Sequence, residues 1–173
     1  MKKIILLSTL LIFTIILSAQ EKTEIEKFSA ATGTVLILGY TDKGKLETDP
    51  SYPKEGISFQ TRVIGTPSRP NGTKGIKISI CDFRGNCQNS FIDDNEIDDL
   101  ISGLEYISKI TPDVTTQESF EVSYTTLGGF KVTVYSKSDG GLGLAIKSTG
   151  SSQLFVSLDT ATALIANLEN ARP

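Results

Sequence analysis

Two cysteines are the residues whose spacing most directly suggests chemistry. Cys81 and Cys87 are separated by the five residues Asp82-Phe83-Arg84-Gly85-Asn86. One predicted strand ends at Cys81 and the next begins at Cys87, so both side chains would lie at the end of a hairpin. We predict a disulfide, the usual state of such a pair in an oxidising compartment. Two buried free thiols are the alternative, whereas a catalytic redox pair usually has the spacing Cys-x-x-Cys.

Histidine and tryptophan are both absent from the 173 residues. Without histidine the chain cannot form a Ser-His-Asp triad, a Cys-His pair or a His-ligated zinc or haem site. The sequence Gly140-Gly141-Leu142-Gly143 lacks the last glycine and the following helix of a dinucleotide-binding loop. We therefore predict no metal and no cofactor.

An acidic run, Asp93-Asp94-Asn95-Glu96-Ile97-Asp98-Asp99, is the strongest candidate for a calcium site. An EF-hand loop starting at Asp93 would need a glycine at its sixth position and a glutamate at its twelfth, and the chain has neither there. Asp93 and Glu96 instead have the spacing of a capping box, and acids in the first turn suit the helix dipole. We predict that both residues cap this helix and that Asp159 caps a second one, with an irregular calcium site as the alternative.

Carboxylate pairs can act as catalysts without histidine, because glycosidases need only two acids about 5–10 Å apart. No such pair stands out on the predicted strands. Asp159-Thr160-Ala161 resembles an aspartic-protease triplet, and also a bacterial O-glycosylation acceptor, but it begins a predicted helix. Ser51-Tyr52-Pro53-Lys54 matches the Ser-x-x-Lys acylating motif, but its proline opposes the helix that this motif requires. We assign no catalytic residue and predict that the protein is not an enzyme.

The charged residues are segregated along the chain. Residues 54–84 carry a net charge of +4, and residues 85–121 carry −8. Complementary or solvated faces would explain this pattern. The alternative is a basic face that binds an anionic ligand, for which the candidates are Arg62, Arg69, Lys74 and Lys77.

An internal repeat relates two segments of the chain at an offset of 64 residues. Phe91-Ile92 matches Phe155-Val156, Leu100-Ile101 matches Leu164-Ile165, and Leu104-Glu105 matches Leu168-Glu169. In each copy the apolar positions follow the spacing i, i+3, i+4, i+7 of one helix face. The repeat therefore predicts two similar units, each containing one amphipathic helix.

Alternating residues rich in Val, Ile, Thr, Phe and Tyr predict four strands before each helix. Turn signals such as Asp42-Lys43-Gly44 and Pro70-Asn71-Gly72 separate them. The predicted strands lie near residues 31–41, 57–65, 75–81 and 87–92, and then near 118–126, 130–137, 142–149 and 152–157.

These elements predict an α+β fold of duplicated ββββα units. Short connections imply two antiparallel sheets, each with one helix, and the repeat implies pseudo-twofold symmetry between them. The units cover about residues 28–110 and 113–173 and meet near Thr111-Pro112-Asp113. We expect them to form one domain over residues 21–173.

The order of elements resembles that of the Whirly and Pur-alpha classes of nucleic-acid-binding proteins. Lys43-Gly44-Lys45-Leu46 is similar to the Lys-Gly-Lys motif of Whirly proteins, although here it lies in a predicted turn. Glu26-Lys27-Phe28-Ser29, Thr32-Gly33-Thr34 and residues 91–101 resemble stretches found in uncharacterised secreted bacterial proteins. The second resemblance implies an exported protein without an assigned activity, and it supplies no catalytic residues.

The N-terminus has the layout of a secretory signal peptide. Lys2 and Lys3 precede a mostly apolar run from Ile4 to Leu17, and a polar segment follows Ser18-Ala19-Gln20. Fourteen residues would span roughly 21 Å as a helix, against about 30 Å for a bilayer core. We predict that residues 1–20 are removed and that no membrane span remains. The net charge would then change from −3 to −5.

Together these features predict an exported, periplasmic or secreted protein that serves as a non-catalytic binding or structural module of the cell envelope. The partner would be an envelope or extracellular component that the sequence does not identify, and the sequence leaves the oligomeric state open. One alternative is a single-stranded nucleic-acid-binding protein that uses Arg62, Lys77 and Phe59, although an acidic exported chain opposes it. The other alternative is a carboxylate-dependent hydrolase.

The signal-peptide prediction can be tested on exported protein. N-terminal sequencing is expected to begin at Gln20 or Glu21, because the small residues before this point suit a signal peptidase. An exported protein that begins at Met1 would contradict the prediction.

Overall fold

The computed structural model describes residues 21–150 and 153–173. The predicted signal peptide, residues 1–20, lies outside the described residues. Three α-helices and eight β-strands follow one another along this part of the chain: α1 Glu24–Ser29, β1 Ile37–Leu46, β2 Gly56–Thr66, β3 Arg69–Cys81, β4 Cys87–Asp93, α2 Ile97–Ser108, β5 Glu121–Thr125, β6 Lys131–Ser136, β7 Leu142–Lys147, β8 Gln153–Val156 and α3 Thr160–Asn170.

The strands form two separate antiparallel sheets. Each sheet is a simple meander, in the order β1-β2-β3-β4 for the first sheet and β5-β6-β7-β8 for the second. Helix α2 follows the first sheet and α3 follows the second. The predicted α+β class, with two ββββα units, is confirmed. Among the described helices, none is long and apolar enough to cross a membrane.

Alternation of side chains gives each sheet one apolar face. In β3, Ile76, Ile78 and Ile80 are all buried, and the residues between them are partly exposed. Ile80 pairs with Ile57 and Ile78 pairs with Phe59 across the β2–β3 ladder, so the apolar side chains collect on one side. We call this side the inner face and the opposite side the outer face.

The two helices join the two units through one hydrophobic core. This core contains buried side chains from both sheets and from α2 and α3. The helices pack against each other, while α2 also lies close to β5 and β6, and α3 lies close to β1. Each helix therefore approaches the sheet of the other unit as well as its partner helix.

Leucines at the positions of the predicted repeat are buried in both helices. Leu100 and Leu104 of α2 are fully buried, as are Leu164 and Leu168, which follow them by 64 residues. Where α2 meets β5, a Cβ on Gly103 would collide with the ring of Tyr124. A glycine therefore lets the helix and the strand approach closely.

Two predicted turns are wrong. Lys43-Gly44-Lys45 lies within β1, where a bulge shifts the register between Asp42 and Gly44. A bulge uses the same turn-forming residues as a loop but lets the strand continue. Pro70-Asn71-Gly72 lies in β3, and the hairpin turns instead at Pro67-Ser68. Pro70 is accommodated next to the turn, close to a second bulge between Ile64 and Thr66.

Helix α1 was not predicted, and it packs on the outer face of the first sheet. It contacts β2, β3 and β4, and Ile25 is completely buried where Gly75 provides space for it. Thr23 and Glu26 form a capping box at the start of this helix. The helix is six residues long, so its stability must come from the sheet rather than from its own backbone.

Asp93 attaches α1 to the sheet. Its two carboxylate oxygens accept hydrogen bonds from the backbone N–H groups of Glu24 (2.6 Å) and Ile25 (3.1 Å). Together with the Thr23 hydroxyl, which accepts from the N–H of Glu26, Asp93 satisfies the first-turn donors of α1. The predicted capping of α2 by Asp93 is therefore wrong, because the carboxylate is used on a helix 69 residues earlier in the chain.

Replacing Asp93 should detach α1. Asp93→Ala leaves two first-turn N–H groups without their acceptor, so we expect the free energy of unfolding to fall by about 2 kcal/mol. Chemical denaturation measures this change. Asp94→Ala, at the exposed neighbouring position, is the matched control and should change stability by less than about 0.5 kcal/mol. Equal stability of the two variants would mean that Asp93 does not hold α1.

Candidate functional site

A groove of about 710 Å³ lies where elements of the two units meet. We call it the aromatic groove, because Tyr52 and Phe83 from the first unit and Tyr135 and Phe155 from the second all line it. Its polar lining comes from Thr48, Asp49, Glu55, Lys137, Gln153, Ser157 and Thr160. Ligand sites in proteins commonly combine aromatic surface with a few polar groups in this way.

The four rings form two pairs. Tyr52 and Phe83 have their ring centroids 6.0 Å apart with a tilt of 60°, and Tyr135 and Phe155 are also 6.0 Å apart and nearly perpendicular. Phe155 is 66% exposed, Phe83 is 53% exposed and Tyr52 is 48% exposed. Large aromatic side chains with this exposure, grouped in one concavity, are typical of a contact surface.

A disulfide positions Phe83. Cys81 and Cys87 are bonded, which confirms the predicted pair, and they face each other at the end of the β3–β4 ladder. Within the turn, the Asp82 carboxylate accepts hydrogen bonds from Asn86 and from the backbone N–H of Arg84. The bonds from Asn86 and the backbone lower the pKa of Asp82. This short turn is therefore held at both its ends and its centre, with Phe83 at its tip.

The loop between β1 and β2 positions Tyr52. Thr48 donates a hydrogen bond to Glu55 (2.8 Å) across the base of the loop, and Asp49 accepts one from the backbone N–H of Ser51 (2.8 Å). Lys45 reaches from β1 to the carbonyl of Pro53 (2.7 Å). These contacts give the predicted irregular loop a defined shape, and both carboxylates in the groove take part in them.

The edge of β8 forms the other side of the groove. Residues 153–157 line the groove without a gap, and within the described sheets β8 is bonded only to β7. A smaller hollow of about 400 Å³ on the outer face of the second sheet shares Tyr135, Gln153 and Phe155 with the groove. The groove therefore continues onto this open face of the sheet.

The four predicted residues of the basic face do not all come together. Arg62 on β2 and Lys77 on β3 lie on the outer face of the first sheet, at diagonally adjacent positions of the ladder. Lys74 is three positions from Lys77 on the same strand and therefore points to the opposite side. Arg69 lies at the start of β3, beside the hairpin turn.

Phe59, the aromatic residue named for the nucleic-acid alternative, is 1% exposed and belongs to the hydrophobic core. It pairs with Ile78 on the inner face, so it cannot stack against a base. The aromatic residue next to Arg62 on the outer face is Tyr40, which sequence reasoning did not select.

The other two predicted helix caps are also wrong. Glu96 and Asp159 occupy the N-cap positions of α2 and α3, but both have helical backbone angles and neither side chain makes a cap hydrogen bond among the described residues. A capping side chain needs an extended N-cap residue. The turn before α3 uses backbone bonds instead, from Thr160 to Ser157 and from Ala161 to Leu158.

Glu96 instead links the start of α2 to the β5–β6 turn. One carboxylate oxygen accepts a hydrogen bond from the backbone N–H of Leu127 (2.6 Å), and the other is buried without a partner among the described residues. Burial raises the pKa of Glu96, although the Leu127 bond acts in the opposite direction, and the negative charges of Asp93 and Asp99 raise it further. Within the described residues no group of three or more potential metal ligands is present.

Comparison with known proteins adds no family assignment. No protein-family model matches the chain, and no curated protein matches it. The resemblance to Whirly proteins and to uncharacterised secreted bacterial proteins therefore stays a prediction.

The raised pKa of Glu96 makes its contribution to stability depend on pH. The folded state holds this proton more tightly than the unfolded state, so the contribution of Glu96 is lost as pH rises through its raised pKa. Glu96→Gln keeps an acceptor for Leu127 and removes the charge. We expect it to raise the melting temperature at pH 7 by about 1–3 °C, with the difference vanishing near pH 4.

Thermal unfolding at a series of pH values measures this effect. Glu105→Gln, at an exposed position of α2, is the control for the general removal of one negative charge. A Glu96→Gln variant that is less stable than the parent at pH 7 would show that the Leu127 bond requires a charged acceptor.

Proposed function

We propose that this protein is an exported, non-catalytic binding module that holds an oligosaccharide in the aromatic groove. The observation that carries the proposal is the convergence of Tyr52, Phe83, Tyr135 and Phe155 on one concavity of about 710 Å³. Export is supported by the sequence layout of residues 1–20, and the Cys81–Cys87 disulfide is compatible with it.

The chemistry of the groove suits a sugar. Aromatic faces carry a negative quadrupole, which attracts the slightly positive C–H faces of pyranose rings. The hydroxyl, amide and carboxylate groups of the lining offer both donors and acceptors to sugar hydroxyls. The charged side chains of the lining are Asp49, Glu55 and Lys137, which give a net charge of −1. This charge disfavours an anionic ligand and is compatible with a neutral sugar.

Binding without catalysis is supported by the engagement of the two carboxylates. Glu55 accepts from Thr48, and Asp49 accepts from the backbone of its own loop. Both therefore serve to shape the loop that carries Tyr52. The hydrolase alternative would require one of them to transfer a proton to the sugar.

Tyrosine fluorescence can test the proposal directly, because the chain has no tryptophan and two of its five tyrosines line the groove. The probes are cellotetraose, maltotetraose and tetra-N-acetylchitotetraose. We expect at least one of them to change the fluorescence saturably. Phe83→Ala and Phe155→Ala should each weaken that binding by about tenfold, since each removes one stacking surface.

Tyr106→Ala is the matched control, because Tyr106 is 60% exposed on α2 and does not line the groove. It should change the affinity by less than about twofold. Chromatography of the sugar after prolonged incubation should recover it intact. Cleavage would support the hydrolase alternative, whereas failure of all three sugars to bind would overturn the proposed ligand class. Protection of β8 amides by an added peptide would instead indicate strand addition.

A further inference from the structure

A second charged site lies on the outer face of the first sheet, away from the aromatic groove. Arg62 and Lys77 stand diagonally adjacent there, with Gln60 paired to Lys77 and Tyr40 paired to Arg62. The positions are fixed by the strand register, so these side chains share one face of three neighbouring strands. Two cations at adjacent positions repel each other, and an anion bound between them would offset this repulsion.

The surroundings hold Arg62 in place. Its guanidinium lies over the ring of Tyr40, 5.2 Å from the ring centre, which restricts its orientation. Gly75 pairs with Arg62 on the other side, and its missing side chain leaves room for Ile25 of α1. Within the sheet, Tyr40 therefore lies on one side of Arg62, and Gly75, against which Ile25 of α1 packs, lies on the other.

Two polar atoms at this place have no hydrogen-bond partner within the described residues. They are the Nε of Arg62 and the Oε1 of Gln60, and both are buried from solvent. An unsatisfied guanidinium N–H costs more than a neutral donor does. Unpartnered buried groups are uncommon in folded proteins, and a ligand that supplies the missing partners is one explanation.

One nearby carboxylate, that of Asp42, offsets only part of the charge of the two cations. Asp42 is the acidic residue on the neighbouring strand, and its Oδ1 accepts a hydrogen bond from the Gln60 amide (2.6 Å). Burial lowers the pKa of Lys77, and the positive charge of Arg62 lowers it further, against the opposing effect of Asp42. A bound anion would act on the pKa of Lys77 in the same direction as Asp42 and would offset the effect of Arg62.

We propose that Arg62 and Lys77 form a binding site for a tetrahedral oxyanion, the phosphate group of a phosphorylated ligand. The guanidinium would donate its Nε–H and one terminal N–H to two phosphate oxygens, and the Lys77 ammonium would contact a third. The Gln60 Oε1 would accept from a hydroxyl next to the phosphate, which favours a sugar phosphate over inorganic phosphate. This site is independent of the aromatic groove and of the ligand proposed there.

Nuclear magnetic resonance of the Arg62 Nε–H group tests the site in the intact mature protein. The probes are inorganic phosphate, glucose 6-phosphate and acetate. We expect both phosphates to shift this resonance saturably. Either should bind at least about tenfold more tightly than acetate, because two cations favour a dianion. Glucose 6-phosphate should bind more tightly than phosphate. An Arg62 resonance that no phosphate moves would overturn the proposal.

Two pairs of matched variants separate a built site from general electrostatic attraction. Arg62→Lys keeps the charge but removes the Nε–H, and Lys77→Gln removes one charge. Each should weaken binding of glucose 6-phosphate by about tenfold. Arg69→Lys and Lys74→Gln make the same changes off the site and should alter affinity by less than about twofold. Unchanged melting temperatures establish that the variants fold. If Arg62→Lys is unstable, the affinity of Lys77→Gln for glucose 6-phosphate alone tests the site.

Two further outcomes of these binding measurements would contradict the proposed site. Equal weakening by all four substitutions would mean diffuse attraction by the basic segment, which contradicts a site built from Arg62 and Lys77. An affinity for oligo-dT that rises with its length and falls steeply with salt would favour the nucleic-acid alternative and overturn the phosphate ligand.

Discussion

The structure depends on one shared hydrophobic core. Each four-stranded meander has an apolar inner face that it cannot cover by itself, and each helix has an apolar stripe with the same difficulty. Helices α2 and α3 pack against each other, and both sheets contribute side chains to the same hydrophobic cluster. This packing buries the inner faces of the sheets together with the apolar stripes of the helices. The hydroxyl of Thr61 on β2, which donates to the carbonyl of Ala171 after α3, ties the two units together within this core. Neither unit would keep its buried surface without the other.

This arrangement leaves three surfaces available for binding: the outer face of the second sheet, the part of the first sheet's outer face that α1 does not cover, and the junction of the units. The inner faces of both sheets are buried in the core. Loops and strand edges from the two units therefore meet at the margin of this core. The aromatic groove lies at such a margin, with Tyr52 and Phe83 from one unit and Tyr135 and Phe155 from the other. A groove of this kind exists only when both units are folded together. The rigid turn closed by Cys81–Cys87 then contributes a defined wall rather than a flexible one.

The parts of the fold that were predictable from the sequence are those encoded locally. The i, i+3, i+4, i+7 spacing identified both long helices, and alternation indicated all eight strands. The first strand was misplaced, however, because β1 spans Ile37–Leu46 and not residues 31–41. Turn residues were less informative, because Asp42-Lys43-Gly44 serves equally well in a bulge as in a turn. The role of Asp93 could not be read from its spacing to Glu96, since its hydrogen-bond partners lie in α1, an element too short to show a periodic pattern.

In the candidate sites too, features formed by residues close in sequence were predictable, and features formed by residues far apart in sequence were not. The disulfide was predictable because its cysteines lie only six positions apart, at the two ends of one hairpin turn. The grouping of Arg62 with Lys77, and their separation from Arg69 and Lys74, required the strand register, which composition does not contain. Net charge also misleads here, because a chain at −3 suggests poor affinity for anions while its charges are segregated. At an ionic strength of about 0.15 M, charges beyond about 8 Å are largely screened. The binding proposed for that face would therefore depend on the local pair of cations and not on the overall charge.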